Sequence, residues 1–199
     1  MNHVMTKKTD PTNDELAWYM DQYTKEDEAF FNDLLKHQPL SHVGSLGPHS
    51  VGAIREICRI CAPKTILEIG FNVGYSSTMW LSFSDATVYS VDNSTRDHTL
   101  DAFQRVKNRF GDRFHFLNVD SAAVKPLLEG ISFDFAFVDG DHTASGVERD
   151  LDMVRSLGIL NIAMDDYWPR FSAAQEVLPR SGYEVVQQWG NIVLCSLAQ

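Results

Sequence analysis

A chain of 199 residues, 44% of them hydrophobic, suffices for one well-packed domain and hardly for two. Its 27 acidic residues against 17 basic ones, a formal net charge of -10, argue against a phosphate backbone as the main partner, so no nucleic acid is expected. No positively charged segment followed by an apolar stretch stands near Met1, and no run approaches the ~18 apolar residues of a spanning helix. A soluble, cytoplasmic protein with no membrane partner is therefore expected.

From Asn13 to about His37 apolar residues recur at helical spacing, first Leu16, Tyr19, Met20 and Tyr23, then Phe30, Phe31, Leu34 and Leu35. Thr24 and Asp27 are placed to cap the second of two short helices. Residues 1–48 are read as a helical extension that serves as a lid, a substrate contact or a homodimer contact; residues 49–199 are the main domain. A turn-rich stretch from Pro39 to Pro48 leads into a further helix, Ser50 to about Ala62, with His49 in the loop that enters it. Cys58 and Cys61 lie late in that helix among apolar neighbours. With Cys195 they make an odd set of three, which predicts reduced core thiols rather than a disulfide framework or a metal site.

Strand and helix then alternate. Strands are predicted at Thr65–Ile69, Thr87–Val91, Phe114–Val119, Phe133–Val138 and Ile159–Met164, with helical stretches between them. Tyr183–Gln188 and Asn191–Leu197 read as an antiparallel hairpin turned at Trp189-Gly190. The fold class is α/β: a Rossmann-like, doubly wound, mostly parallel seven-stranded sheet with a C-terminal antiparallel hairpin and N-terminal helices.

Five of the apolar runs end on a carboxylate: Glu68, Asp92, Asp120, Asp139 and Asp165. Ligands of an open parallel sheet bind beyond the carboxyl ends of its strands, so these acids are expected to line one negative crevice. Such a crevice prefers a cationic or polyhydroxylated ligand, or a metal ion, over a bare polyphosphate. Glu68 opens a glycine-spaced turn, Glu68-Ile69-Gly70-Phe71-Asn72-Val73-Gly74. A dinucleotide fingerprint needs a third glycine, where this chain has Asn72, and Glu68 would repel a pyrophosphate. The distance along the chain from Gly70 to Asp92 suits an acid that binds ribose hydroxyls.

These residues resemble the class I S-adenosylmethionine-dependent methyltransferases, in particular the small O-methyltransferases of the catechol and caffeoyl-CoA type. The likeness spans about Ser50 to Leu197 and rests on Ile66-Leu67-Glu68-Ile69-Gly70 with Gly74-Tyr75-Ser76, on Val91-Asp92, Val119-Asp120-Ser121, Val138-Asp139-Gly140-Asp141-His142, and on Asp165-Asp166. It implies S-adenosyl-L-methionine as cofactor. Glu68 would stand near the amino-acid portion, Gly70, Phe71, Asn72, Gly74 and Ser76 along the turn, Asp92 and Asn93 at the ribose, and Asp120 with Ser121 at the adenine, with Asp139 bordering the same site. It also implies Mg2+ or another divalent cation on Asp139, Asp165 and Asp166, with asparagine usual in the family where Asp166 stands.

Where the catechol-type enzymes carry a lysine, this chain has His142, whose imidazole can serve as general base beside Asp139. Tyr167 and Trp168 follow the aspartate pair, where they could stack on substrate or pack the loop. The leading expectation is a metal-assisted O-methyltransferase acting on a small hydroxylated acceptor. Open beside it stand a metal-independent methyltransferase of nitrogen or carboxylate, a nicotinamide-dependent oxidoreductase, and a non-catalytic cofactor-binding subunit.

Overall fold

Alternating apolar runs and amphipathic stretches produce the alternating strands and helices of the computed structural model, which describes residues 29, 30, 33, 48–94, 97–167 and 172–198. In chain order the elements are α1 (Pro48–Cys61), β1 (Thr65–Ile69), α2 (Tyr75–Phe83), β2 (Thr87–Asp92), α3 (Asp97–Phe110) and β3 (Phe114–Asn118). They are followed by β4 (Phe135–Val138), α4 (Ala144–Ser156), β5 (Asn161–Met164), α5 (Ser172–Val177), β6 (Tyr183–Trp189) and β7 (Ile192–Leu197). Among the described residues no helix is long and apolar enough to cross a membrane.

The seven strands form one sheet in the order β3-β2-β1-β4-β5-β7-β6. All pairs are parallel up to β5, and β7 then pairs antiparallel with both β5 and β6. The order reverses between β1 and β4, the point at which a doubly wound sheet opens its ligand crevice. Strand residues alternate between two cores. Ile66, Val88, Phe114, Phe135 and Phe137 pack with α1, α2 and α3; Leu67, Ile69, Ala136, Val138 and Ile162 pack with α4 and α5.

The predicted strands are all present, with ends that shift for identifiable reasons. β4 begins at Phe135 because the Asp134 carboxylate accepts from the backbone N–H groups of Lys64 and Thr65 and so caps the start of β1. β5 begins at Asn161 because the Ile159 carbonyl accepts from the Tyr183 hydroxyl at 2.6 Å. Trp189, expected in the hairpin turn, pairs with Ile192, so the two-residue turn is Gly190-Asn191. α1 starts at Pro48, since proline suits the first turn of a helix, and this puts His49 in the helix rather than in the loop before it.

Cys58 and Cys195 are buried, and burial pushes both thiols up to about 12, consistent with reduced core residues. Of the N-terminal extension, Ala29, Phe30 and Asp33 are helical. Asp33 lies 2.6 Å from Arg105 and the Phe30 ring meets Phe110 edge-on, both partners on the C-terminal half of α3. That end of α3 leads into the start of β3, away from the strand ends that carry the crevice. The predicted cap at Thr24 and Asp27, and the rest of the extension, lie outside the described residues, as does Trp168.

Candidate functional site

The glycine turn after β1 is shaped by its own chain. Gly70 has φ +96°, and a Cβ there would lie 1.9 Å from the Asp139 carbonyl oxygen at the end of β4. A Cβ on Gly74 would lie 2.6 Å from the Phe71 ring, which is buried, stacks on Phe114 and meets Phe116 at a tilt. Both glycines were expected to admit the cofactor; the structure gives them a prior task, close packing of the turn. Phe71, likewise expected at the cofactor, puts its side chain into the core.

Glu68 also departs from expectation. It is the penultimate residue of β1 and points to the α2 side of the sheet, fully buried, rather than over the rim. Its Oε2 accepts from Ser77 Oγ and, at 2.5 Å, from Ser90 Oγ, tying β1 to α2 and β2. Burial pushes this carboxyl up to about 7, against hydrogen bonds from Ser76, Ser77 and Ser90 that favour its ionised form. Ser76 is thus buried beneath the turn. Four of the five strand-end acids remain at the rim.

Asp92 does the most to hold the turn. Its Oδ2 accepts from the backbone N–H groups of Phe71 at 2.9 Å and Asn72 at 2.8 Å, and its Oδ1 from Ser94 N–H at 2.7 Å. A carboxylate has about four acceptor positions, so one remains for a ribose hydroxyl. Asp120 caps the short turn after β3 by accepting from Ala122 N–H, and its other oxygen accepts from Asn93 at 3.2 Å; these bonds lower its pKa. Ser121 faces away from the rim and donates to Asp150 Oδ1 at 2.6 Å. Two acceptors in this region, Glu68 Oε1 and Asn72 Oδ1, are buried with no hydrogen-bond partner. Glu68 Oε1 lies beneath the turn, but Asn72 Oδ1 belongs to it, and an unpaired acceptor there calls for a donor such as a ribose hydroxyl or the ammonium of S-adenosylmethionine, so the residues present fit that cofactor.

Beyond β4 and β5 lies an acidic cluster. Asp139 follows β4, and Asp165 and Asp166 follow β5, in register because Asp165 N–H donates to the Val138 carbonyl. Burial and the nearby Asp165, Asp166 and Glu68 raise the Asp139 carboxyl well above its ordinary range. Burial carries Asp165 up to about 7. Asp139, His142 and Asp166 each present a ligand atom within 4.8 Å of the other two. Asp165 is turned instead to Asn191, whose amide donates to its Oδ1 at 2.5 Å. Of the expected metal set, then, Asp139 and Asp166 converge, His142 joins them, and Asp165 stands behind. The two carboxylates are hard oxygen ligands that fit a divalent cation, which would also relieve the crowding of like charges, and the imidazole beside them is left to handle protons.

His142 Nδ1 lies 3.2 Å from Asp166 Oδ2. A carboxylate facing Nδ1 fixes the proton there and leaves Nε2 as the basic nitrogen. These residues line an open cleft with Val138, Met164 and Ala174 as its apolar wall. Tyr167 packs against the core beside it and donates its backbone N–H to the Asn191 carbonyl.

Sequence reasoning did not find Asn191 or Asp150. The signal for Asp150 was present, since Val147, Asp150, Leu151 and Val154 share one helix face, so an acid sits in an apolar stripe. Asn191 carries no comparable signal.

Residues 67–158 match the family described as methyltransferase domain. No curated protein matched the sequence. Among solved structures the chain is similar to the methyltransferase PaMTH1 of Podospora anserina bound to S-adenosylhomocysteine, at 18% identity and TM-score 0.72, covering 98% of this chain and 100% of that one. It is similar to the O-methyltransferase TomG of Streptomyces achromogenes, involved in tomaymycin synthesis and in complex with S-adenosylmethionine, at 17% identity and TM-score 0.70, covering 94% and 97%. It also resembles the 1,6-didemethyltoxoflavin-N1-methyltransferase of Burkholderia thailandensis, at 12% identity and TM-score 0.59, covering 98% and 94%. At these identities the structural likeness establishes the fold.

Proposed function

We propose that this chain is a class I S-adenosylmethionine-dependent methyltransferase, a reading supported by the methyltransferase-domain match of residues 67–158, and that it is a cytoplasmic O-methyltransferase that methylates a hydroxyl of a small molecule with the help of a divalent cation. The observation that carries the reading is the convergence of Asp139, His142 and Asp166 at the ends of β4 and β5, adjoining the glycine turn.

S-adenosylmethionine supplies an electrophilic methyl on a sulfonium. A divalent cation supplies a Lewis acid that lowers the pKa of a hydroxyl bound to it. The protein's part is placement and proton handling. Asp92, Asn93, Asn72 and Asp120 form the polar rim for the cofactor, and Asp139 and Asp166 would hold the cation, with Asp165 kept in place by Asn191. With the donor bound, His142 Nε2 would take the acceptor's proton, and methyl transfer would leave a methyl ether and a neutral thioether. Asp166 Oδ2, against Nδ1, stabilises the imidazolium that results. Most of the acceleration comes from alignment of acceptor oxygen, methyl carbon and sulfur.

A second reading drops the cation: the His142–Asp166 contact is complete without one and could serve a nitrogen or carboxylate acceptor. Methyl transfer to a panel of catechols, phenols and sugars, assayed with Mg2+, with Mn2+ and in excess chelator, separates the two. The proposed function expects turnover of a hydroxylated acceptor that chelator abolishes and added cation restores. Turnover undiminished by chelator contradicts the metal, and turnover confined to nitrogen or carboxylate acceptors contradicts the hydroxyl.

A further inference from the structure

Asp150 sits in the middle of α4, where Val147, Leu151 and Val154 turn the same face into the core, and it is 1% exposed. An apolar residue would fill this stripe without the cost of burying a carboxyl group. The carboxylate meets two of the loops that build the site. Its Oδ1 accepts from Ser121 Oγ at 2.6 Å, in the loop after β3. Its Oδ2 would lie 2.9 Å from a Cβ on Gly140, between Asp139 and Asp141 in the loop after β4, and Ile69 Cγ2 would lie 3.0 Å from the same point, so that loop rests closely on both side chains. Arg149 lies between this carboxylate and the loop after β4, with Nε 3.8 Å from Asp150 Oδ1 and Nη2 3.8 Å from Asp141 Oδ2.

From Ser121 the contacts run along the cofactor rim. Asp120 precedes Ser121 and is bonded to Asn93, and Asn93 follows Asp92, which holds the backbone of Phe71 and Asn72. From Gly140 they run to Asp139 and His142. One buried side chain thus braces both halves of the site from below while touching neither the rim nor the cleft.

We infer that Asp150 is a positioning residue: through Ser121 it sets the loop that carries Asp120 at the adenine end of the cofactor, and by packing on Gly140 it seats the loop that carries Asp139 and His142. This inference rests on the reading of the chain as an S-adenosylmethionine-dependent enzyme.

Calorimetric titration with S-adenosylhomocysteine, with a thermal melt of each protein, tests it on the wild type, Asp150→Ala, Asp150→Asn, Ser121→Ala and the Ser121→Ala/Asp150→Ala pair. Asp150→Ala and Ser121→Ala are each expected to weaken binding roughly tenfold, the scale of one hydrogen bond to a charged group. Asp150→Asn, whose amide oxygen can still accept from Ser121, stays within about twofold of wild type on the same scale. The double variant binds no worse than Asp150→Ala, because the two share one interaction. A lower melting temperature with unchanged affinity in Asp150→Ala, or additive losses in the pair, would overturn the inference. If Asp150→Ala does not fold, Ser121→Ala decides, and unchanged affinity there overturns it. Failure of the wild type itself to bind overturns the proposed function, and this inference with it.

Discussion

Gly70→Ala isolates the reason for the first glycine of the turn. At φ +96° an alanine carries backbone strain of about 1–3 kcal/mol. Its Cβ would stand 1.9 Å from the Asp139 carbonyl oxygen and 2.7 Å from the carbonyl carbon, and neither is a side chain that can swing away. The turn and the end of β4 must part, an overpacking cost of about 1–3 kcal/mol. That movement also loosens the 2.8 Å bond from Asp139 N–H to the Ile69 carbonyl, worth about 1 kcal/mol. Together these come to about 5 kcal/mol, which at about 2–4 °C per kcal/mol lowers the melting temperature by roughly 10–20 °C. Gly158→Ala is the control: φ is +74°, nothing lies within 4 Å of the new Cβ, and only strain of about 1–2 kcal/mol is incurred. Both variants are melted without ligand. A Gly70→Ala protein that melts with the wild type yet has lost the cofactor would refute the reasoning, because the glycine would then serve the ligand rather than the sheet.

His142→Gln is expected to slow methyl transfer by about 10²–10⁴ while affinity for S-adenosylhomocysteine holds, measured by single-turnover kinetics beside calorimetry; an unchanged rate removes the base. Asp139→Asn should lose stimulation by added cation, read as heat of Mn2+ binding as well as in turnover, and equal Mn2+ binding in variant and wild type would count against the ligand role. The stability of the ligand-free protein should fall as pH rises from the ordinary carboxylate range to about 7. There the folded chain keeps a proton on buried Glu68 that the unfolded chain has lost. The Glu68 share is at most about 3 kcal/mol, and Glu68→Gln should flatten that slope in melts taken from pH 5 to pH 8. A variant slope as steep as the wild type's would show that other groups set it.

The sheet was legible because runs such as Ile66-Leu67 and Phe135-Ala136-Phe137-Val138 are buried on both faces, and acids or glycines mark where they stop. The parallel sheet followed from the same alternation, and the hairpin from two β-rich runs with a short turn between them. What the sequence concealed depends on neighbours distant in the chain. Gly70 is explained by Asp139, 69 residues on, and the hold of Asp92 on the turn requires knowing that β1 and β2 are adjacent. Glu68 was misplaced for a simpler reason. A residue inside a strand points to one face, and its parity with Ile66 puts it on the α2 side, beneath the crevice rather than in it. In the candidate site Asp139, Asp165 and Asp166 were expected together from their strand ends and His142 from the resemblance, whereas the turning of Asp165 toward Asn191 follows from the β5–β7 pairing.

The central claim is that an acidic rim at the β1–β4 switch holds a sulfonium donor beside a cation. Its most direct measurement is calorimetric titration of the intact chain with S-adenosylmethionine, once with Mg2+ and once in excess chelator. The account predicts saturable one-to-one binding in both, with separate cation binding that Asp139→Asn removes. A chain that takes up neither the methyl donor nor its demethylated product under either condition would contradict it.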